Sequence, residues 1–132
     1  MLYTKKGDGG TTKTLRQKKG ERISKASCQT EALGSLDELN SFLGLVKVKT
    51  RQKGSTFFKI QGRTFKEIIH KIQENLFIIQ AEVAGADKII KASKVAELEN
   101  YIGAAERAMP PIKSFFISGG TELSALFDVA RT

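Results

Sequence analysis

The chain has 132 residues, of which 40% are hydrophobic, and a formal net charge of +8, which suits one soluble domain with a real core. No apolar run reaches the roughly 18 residues that a membrane span needs, and no apolar signal sequence opens the chain, so we expect a cytoplasmic protein. The single cysteine excludes an internal disulfide, and with one histidine it cannot form a Cys/His zinc site.

The first predicted element is an irregular, glycine-rich arm over residues 1–28. Its Tyr3–Thr12 segment contains Gly7, Gly9 and Gly10. Glycines let the backbone turn tightly, and successive N–H groups can then form a concave nest for phosphate oxygens. The spacing matches neither the Walker pattern nor the dinucleotide fingerprint. The segment predicts a phosphate-binding loop of another kind, with an ordinary surface turn as the alternative.

The positive charge of the chain is concentrated in this arm. Residues 1–25 carry eight lysines and arginines against two acidic residues, a balance of +6 out of the total of +8. Such a local excess favours a bound polyanion. Nucleic acid is the rival ligand, but aromatic residues are few and most phenylalanines lie in helical patterns. We therefore expect a bound polyanion and consider nucleic acid the less favoured one.

Beyond the arm, hydrophobic spacing predicts an all-α fold. Apolar residues at three- and four-residue steps indicate helices from Thr30 to about Val48, from about Thr64 to Ala84, from Ser93 to Met109, and from Thr121 onward. Thr30 and Thr121 are predicted N-caps, and Gly85 is a predicted stop. Strand signals are scarce. Residues 29–132 are therefore predicted to form a helical bundle, in a single domain with the arm.

The connecting segments carry turn residues. The polar stretch from Thr50 to about Gly62 is predicted to be a loop or a frayed helix end, and Lys88–Lys91 a connector. Pro110-Pro111 ends the third helix, and Phe115-Phe116-Ile117 is an apolar connector before the last one. The helical spacing of apolar residues in the last helix persists to the end at Thr132, and no cap, glycine or proline ends it. We therefore expect the natural helix to continue.

One stripe of the first helix predicts a contact with another backbone. Gly34, Asp37, Ser41 and Gly44 lie beside the leucine face. Small residues allow close approach, and an aspartate at such a seam needs a cationic partner. The alternative is a solvated aspartate on the helix surface.

These separated motifs, in this order, resemble the PduO-type ATP:cob(I)alamin adenosyltransferases. The family's opening Tyr-Thr-basic-x-Gly-Asp-x-Gly-x-Thr loop, its lysine, its Glu-Ala-x-Gly-x-x-Asp-Glu-Leu-Asn block, its Ile-Gln-x-x-Leu-Phe run and its Ala-Arg-Thr helix are matched by Tyr3–Thr12, Lys25, Glu31–Asn40, Ile72–Phe77 and Ala130–Thr132. The family's Phe-x-x-Pro-Gly-Gly motif appears at residues 115–120, with Ser118 in place of proline. The resemblance spans the whole chain.

The resemblance implies a five-helix up-and-down bundle that forms a homotrimer, with ATP between adjacent subunits. The implied reaction moves the 5′-deoxyadenosyl group of ATP onto the cobalt of a reduced corrinoid, cob(I)alamin, and releases triphosphate. Mg²⁺ on the phosphates, a corrinoid reductase and an adenosylcobalamin-dependent mutase are the other implied partners. The alternative is a catalytically impaired bundle that binds nucleotide, corrinoid or nucleic acid.

Residue roles follow from the same motif matches. The resemblance assigns the polyphosphate to Thr4, Gly7, Asp8, Gly10, Thr12 and Lys25, and it adds Asn40 to the nucleotide site. Asp37 would pair across subunits with Arg131. Phe115 would pack against the lower face of the corrin and exclude the lower axial ligand, the alternative being a core residue before a turn. In the family, an arginine-rich segment with a glutamate that helps to hold ATP follows the Ala-Arg-Thr helix.

Overall fold

The computed structural model describes residues 4–50 and 59–132, which are mostly helical. Within them, four α-helices span Cys28–Lys49 (α1), Phe65–Val83 (α2), Ala92–Ala108 (α3) and Glu122–Arg131 (α4). Two antiparallel hairpins pair Thr11–Thr12 (β1) with Ile23–Ser24 (β2), and Lys59–Ile60 (β3) with Arg63–Thr64 (β4). The all-α prediction holds for the body of the fold and misses these hairpins, because two-residue strands carry no periodic signal.

The second hairpin occupies the end of the segment that was predicted to be a loop. Lys59 pairs with Thr64 and Ile60 with Arg63. The two residues between them, Gln61 and Gly62, have φ angles of 50° and 77°. Left-handed residues at both positions fit the twist of a two-residue hairpin turn. Residues 51–58 of the predicted loop lie outside the described residues.

Helix α1 begins before its predicted cap. The Ser27 hydroxyl accepts the N–H of Thr30 at 3.3 Å, which makes Ser27 the N-cap. The Thr30 hydroxyl donates instead to the carbonyl of Ser24 at 3.2 Å. The prediction of a Thr30 cap is therefore wrong, since a serine three residues earlier already satisfies the free N–H group of the first turn.

The other helix ends follow the sequence more closely. Thr121 caps α4 as predicted, and its side chain accepts the N–H of Ser124. Thr64 caps α2 in a capping box with Glu67, whose pKa is lowered chiefly by the hydrogen bond from the Thr64 backbone. Gly85, at φ +91°, follows the end of α2, so the predicted stop is confirmed.

Helix α2 lies at the centre of the packing. One cluster joins it to α1 and α4 through Leu43, Val46, Ile69 and Leu76, with the apolar face of α4 packed against them. A second cluster joins it to α3 and strand β3 through Ile60, Ile68 and Tyr101. Among the described residues, no helix is both long enough and apolar enough to span a bilayer.

An ion pair links α2 to α3 at the edge of the second cluster. Lys71 donates to the Glu97 carboxylate, which also accepts the Tyr101 hydroxyl at 3.0 Å. The bond from Lys71, followed by that from Tyr101, lowers the pKa of Glu97 below its ordinary value of 4.5.

The lowered pKa of Glu97 predicts a pH-dependent contribution to stability. The ionised carboxylate stabilises the folded state above the unfolded pKa, and this contribution is lost as the pH falls below 4.5 through the folded pKa. We expect Glu97→Gln to lower the free energy of unfolding at neutral pH and to approach wild type in acid. Urea unfolding across this range, with the exposed Glu99→Gln as control, measures the difference. A difference that is independent of pH would contradict the prediction.

Candidate functional site

The glycine-rich loop of the arm is closed by two successive turns. The N–H of Asp8 donates to the carbonyl of Lys5, and the N–H of Gly10 donates to the carbonyl of Gly7, both at 3.1 Å. Lys5 and Gly10 are left-handed, with φ angles of 58° and 74°. No hydrogen bond among the described residues uses the N–H of Gly7 or Gly9. The turns therefore leave these two N–H groups without a partner in the described part of the chain.

Lys25 lies directly against this loop. Its N–H donates to the carbonyl of Gly10 at 2.9 Å. Its ammonium group packs over Gly7, where an added Cβ would lie 3.2 Å from Nζ and 3.3 Å from Cε of Lys25. The structure therefore brings together the predicted lysine and the predicted glycine loop, and it explains why a side chain at Gly7 would disturb the ammonium.

Arg22 also contacts the loop, although in the sequence it is only one of the eight lysines and arginines of residues 1–25. Its Nη2 donates to the carbonyls of Lys6 and Thr11, both at 2.8 Å. Its Nε donates to the Thr11 hydroxyl at 2.8 Å. A charge count cannot reveal this role, because only the pairing of β1 with β2 brings Arg22 to the loop.

The rest of the arm is anchored at the C-terminal end of α2. Arg16 donates to the carbonyls of Val83 at 3.1 Å and Glu82 at 3.4 Å. The N–H of Leu15 donates to the carbonyl of Ala84 at 2.9 Å, and Gln29 of α1 donates to Val83 at 2.8 Å. The last turn of α2 has no basic residue of its own, so the arm supplies the cation that this end of the helix favours.

This anchor requires a glycine at position 85. A Cβ on Gly85 would lie 2.4 Å from Cγ and 3.0 Å from the backbone nitrogen of Arg16, and its φ of +91° is left-handed. We expect Gly85→Ala to destabilise the fold by about 1–3 kcal/mol in urea unfolding. Gly20→Ala is the matched control, because Gly20 has a φ of +90° and open space at the Cβ position. Equal losses in the two variants would rule out the close contact with Arg16.

A groove of about 560 Å³ opens where the arm meets α1 and α2. Thr12, Thr14 and Thr30 supply hydroxyl groups to its wall, and Leu15 and Leu33 supply apolar surface. A mixed lining of this kind, in a cleft of a few hundred cubic ångströms, is typical of small-molecule sites. The groove includes Thr12, so it borders the predicted phosphate loop.

The other predicted residues of the arm lie at or near the surface. Thr4 and Asp8 are exposed and Thr12 is half-buried. Among the described residues, no group of three or more His, Cys, Asp or Glu side chains is placed to hold a metal ion.

Asp37 and Arg131 are both exposed, on α1 and at the end of α4. Neither takes part in an ion pair among the described residues. Arg131 lies at the rim of a second groove of about 530 Å³ between α1 and α4, together with Glu38 and apolar residues of α1. Within one protomer, the aspartate and the arginine therefore have no salt-bridge partner in the described part of the chain.

Asn40 and Phe115 differ in their surroundings. The Asn40 Oδ1 atom is shielded from solvent and has no hydrogen-bond partner among the described residues, whereas the Asn40 carbonyl accepts Gln73 Nε2 at 2.8 Å. Phe115 lies between α3 and α4 with its side chain fully exposed, so the alternative that it is a core residue is wrong. No hydrogen bond or ion pair among the described residues joins either side chain to the arm.

Comparison with known proteins identifies the family. The family model for cobalamin adenosyltransferase matches residues 2–132. The chain is 34% identical to a corrinoid adenosyltransferase of Citrobacter freundii, over 99% of this chain and 71% of the relative. It is 31% identical to the corrinoid adenosyltransferase PduO of the same organism, over 99% of this chain but only 37% of that relative. The chain therefore belongs to the cobalamin adenosyltransferase family.

Solved structures support the same relationship at the level of the fold. A variant of the PduO-type ATP:corrinoid adenosyltransferase from Lactobacillus reuteri, complexed with cobalamin and ATP, has a TM-score of 0.80 at 25% identity, over 99% of this chain and 68% of that chain. A second variant of that enzyme, complexed with ATP, has a TM-score of 0.77 at 29% identity, over 98% of this chain and 70% of that chain.

Proposed function

We propose that this protein transfers the 5′-deoxyadenosyl group of ATP to the cobalt of reduced cob(I)alamin and releases triphosphate. The observation that carries the proposal is the closed glycine loop with Lys25 packed over Gly7. Membership of the cobalamin adenosyltransferase family supplies the reaction class. Relatives and solved structures that are named as corrinoid adenosyltransferases, some of them complexed with ATP and cobalamin, support the choice of substrates.

The chemistry fits a site without a general base. The cobalt(I) electron pair attacks C5′ of ATP, a cobalt–carbon bond forms, and the C5′–O bond breaks with its electrons leaving on triphosphate. No proton has to be removed from the nucleophile, so the protein has two tasks, to orient C5′ and to stabilise the charge that develops on the leaving group.

The loop is suited to the second task. The Lys25 ammonium group is cationic, and the N–H group of Gly7, which has no hydrogen-bond partner among the described residues, can donate; the two groups meet at the loop. We propose that they hold the triphosphate, with Thr4, Asp8, Gly10 and Thr12 completing the loop and Asn40 contributing from α1. Mg²⁺, when bound, would neutralise phosphate charge and would be held mainly by the phosphate oxygens.

We propose that Phe115 contacts the lower face of the corrin. Its side chain is fully exposed on the irregular segment between α3 and α4, which leaves its ring available to a flat apolar ligand. Keeping a donor ligand away from that face would favour the reduced cobalt, because cobalt(I) prefers few axial ligands. A reductase that supplies the electron and a mutase that uses the product are the partners that this chemistry implies.

We further propose that the protein is a cytoplasmic homotrimer with ATP between adjacent subunits, built on a five-helix bundle. The absence of a salt-bridge partner for Asp37 and Arg131 among the described residues supports a pairing between protomers. The exposed stripe of Gly34 and Asp37 on α1 is compatible with such an approach.

The transfer reaction tests the proposal directly. The full chain is incubated with ATP, magnesium and chemically reduced cobalamin, and adenosylcobalamin is followed by its absorption spectrum. Product that depends on both protein and ATP supports an adenosyltransferase. ATP binding without product would favour a nucleotide-binding module. Binding to DNA or RNA that weakens steeply with salt and ignores ATP would favour the nucleic-acid alternative.

A further inference from the structure

We propose that Arg22 is a positioning residue that holds the glycine-rich loop in its ATP-binding conformation. This inference rests on the proposed function, because it assigns Arg22 to the same nucleotide site. Arg22 is not among the residues that the sequence motifs assign to the polyphosphate. Its three hydrogen bonds to the loop carry the proposal.

The bonds of Arg22 join the two ends of the loop. Nη2 donates both to the Lys6 carbonyl, before the glycines, and to the Thr11 carbonyl, after them, each at 2.8 Å. Nε donates to the Thr11 hydroxyl at 2.8 Å. A guanidinium group is planar and its N–H directions are fixed, so one side chain sets the separation of these carbonyls.

These three hydrogen bonds of Arg22 matter because the segment between the two ends of the loop is rich in glycine. Glycine loses more backbone entropy on ordering than any other residue, so a loop of this composition needs external contacts to stay in one conformation. Within the described residues, the loop is also joined to the β2 side of the hairpin by the pairing of β1 with β2 and by the N–H of Lys25, which donates to the carbonyl of Gly10. Arg22 and Lys25 flank strand β2, Ile23–Ser24, so the same strand positions both the arginine and the proposed phosphate-binding lysine.

The charge of Arg22 alone does not describe this role. A lysine at position 22 would keep the charge, but a single ammonium group on a flexible stem does not reproduce the fork that spans both carbonyls and the hydroxyl. The exposed Lys19 lies in the same arm, and its side chain forms no ion pair among the described residues. Its neutralisation therefore removes the same charge without opening the loop.

The test compares Arg22→Gln and Arg22→Lys with Lys19→Gln in the full chain. We expect both Arg22 variants to weaken ATP binding by calorimetry about tenfold, the change expected when one charge-assisted hydrogen bond is lost. Lys19→Gln is expected to stay within about twofold of wild type, as a rim charge would. Amide hydrogen exchange at residues 7–11 is expected to speed up in the Arg22 variants and not in the control.

Each outcome decides between the proposals. Full rescue by Arg22→Lys, equal weakening in Lys19→Gln, or unchanged amide exchange in Arg22→Gln would each overturn the positioning role. Wild-type protein that binds ATP but forms no adenosylcobalamin would overturn the transfer reaction instead, and the binding and exchange data would still decide the role of Arg22. Wild-type protein that does not bind ATP would overturn both.

Discussion

Lys25→Met is expected to lower kcat/KM for ATP by about 100-fold, the loss seen when one pre-positioned donor to a developing charge is removed. The ammonium group of Lys25 packs over Gly7, on the loop proposed to hold the triphosphate. Charge on the triphosphate grows as the C5′–O bond breaks, so the interaction should be stronger in the transition state than in bound ATP. We therefore expect kcat to fall along with the affinity for ATP.

A pair of glycine variants tests whether the position of the ammonium group matters. Gly7→Ala would place a methyl group 3.2 Å from Lys25 Nζ, whereas an added Cβ at Gly9 meets nothing within 4 Å. We expect Gly7→Ala to lower kcat/KM about tenfold by displacing the ammonium, and Gly9→Ala to remain close to wild type. Lys19→Met serves as the charge control. Wild-type turnover by Lys25→Met would remove the lysine from the proposed site.

Asp37→Arg and Arg131→Asp are each expected to reduce turnover by about 100-fold, because each leaves two like charges facing one another at the proposed subunit boundary. The two residues have no salt-bridge partner among the described residues of one protomer. If Asp37 of one subunit pairs with Arg131 of the next, each variant alone should also weaken assembly, which sedimentation can measure.

Mixing the two variants separates a pairing between subunits from a pairing within one. A boundary that receives its aspartate from the Arg131→Asp chain and its arginine from the Asp37→Arg chain is native. A mixed trimer contains about one such boundary, so co-expression of the two chains with different tags should restore part of the activity. Mixed assemblies that remain as inactive as either variant alone would contradict the pairing between subunits.

The helices of this protein could be predicted from sequence because apolar residues recur at three- and four-residue steps and because capping and stop residues mark several helix ends. Thr121 caps α4 and Gly85 ends α2 where the sequence indicates. The start of α1 was misplaced because Ser27 and Thr30 are both good caps, and only the tertiary position of Ser24 shows that the Thr30 hydroxyl is engaged elsewhere.

The residue types of the site could be predicted from the sequence, but the contacts between them could not. The glycines and Lys25 stand out by composition and motif, and the structure brings them into contact. The contacts of Arg22 and Arg16 depend on a two-residue hairpin and on the docking of the arm at α2, neither of which leaves a periodic pattern. From the sequence alone, an arginine that donates to backbone carbonyls cannot be distinguished from a solvated arginine in the same basic segment.

The most direct measurement is phosphorus NMR of the products formed when the full chain turns over ATP with reduced cobalamin. Attack of cobalt at C5′ leaves the three phosphates joined, so intact triphosphate should appear in equal amount with adenosylcobalamin. Inorganic phosphate or pyrophosphate as the primary product, or no phosphate product while ATP stays bound, would contradict adenosyl transfer at this loop.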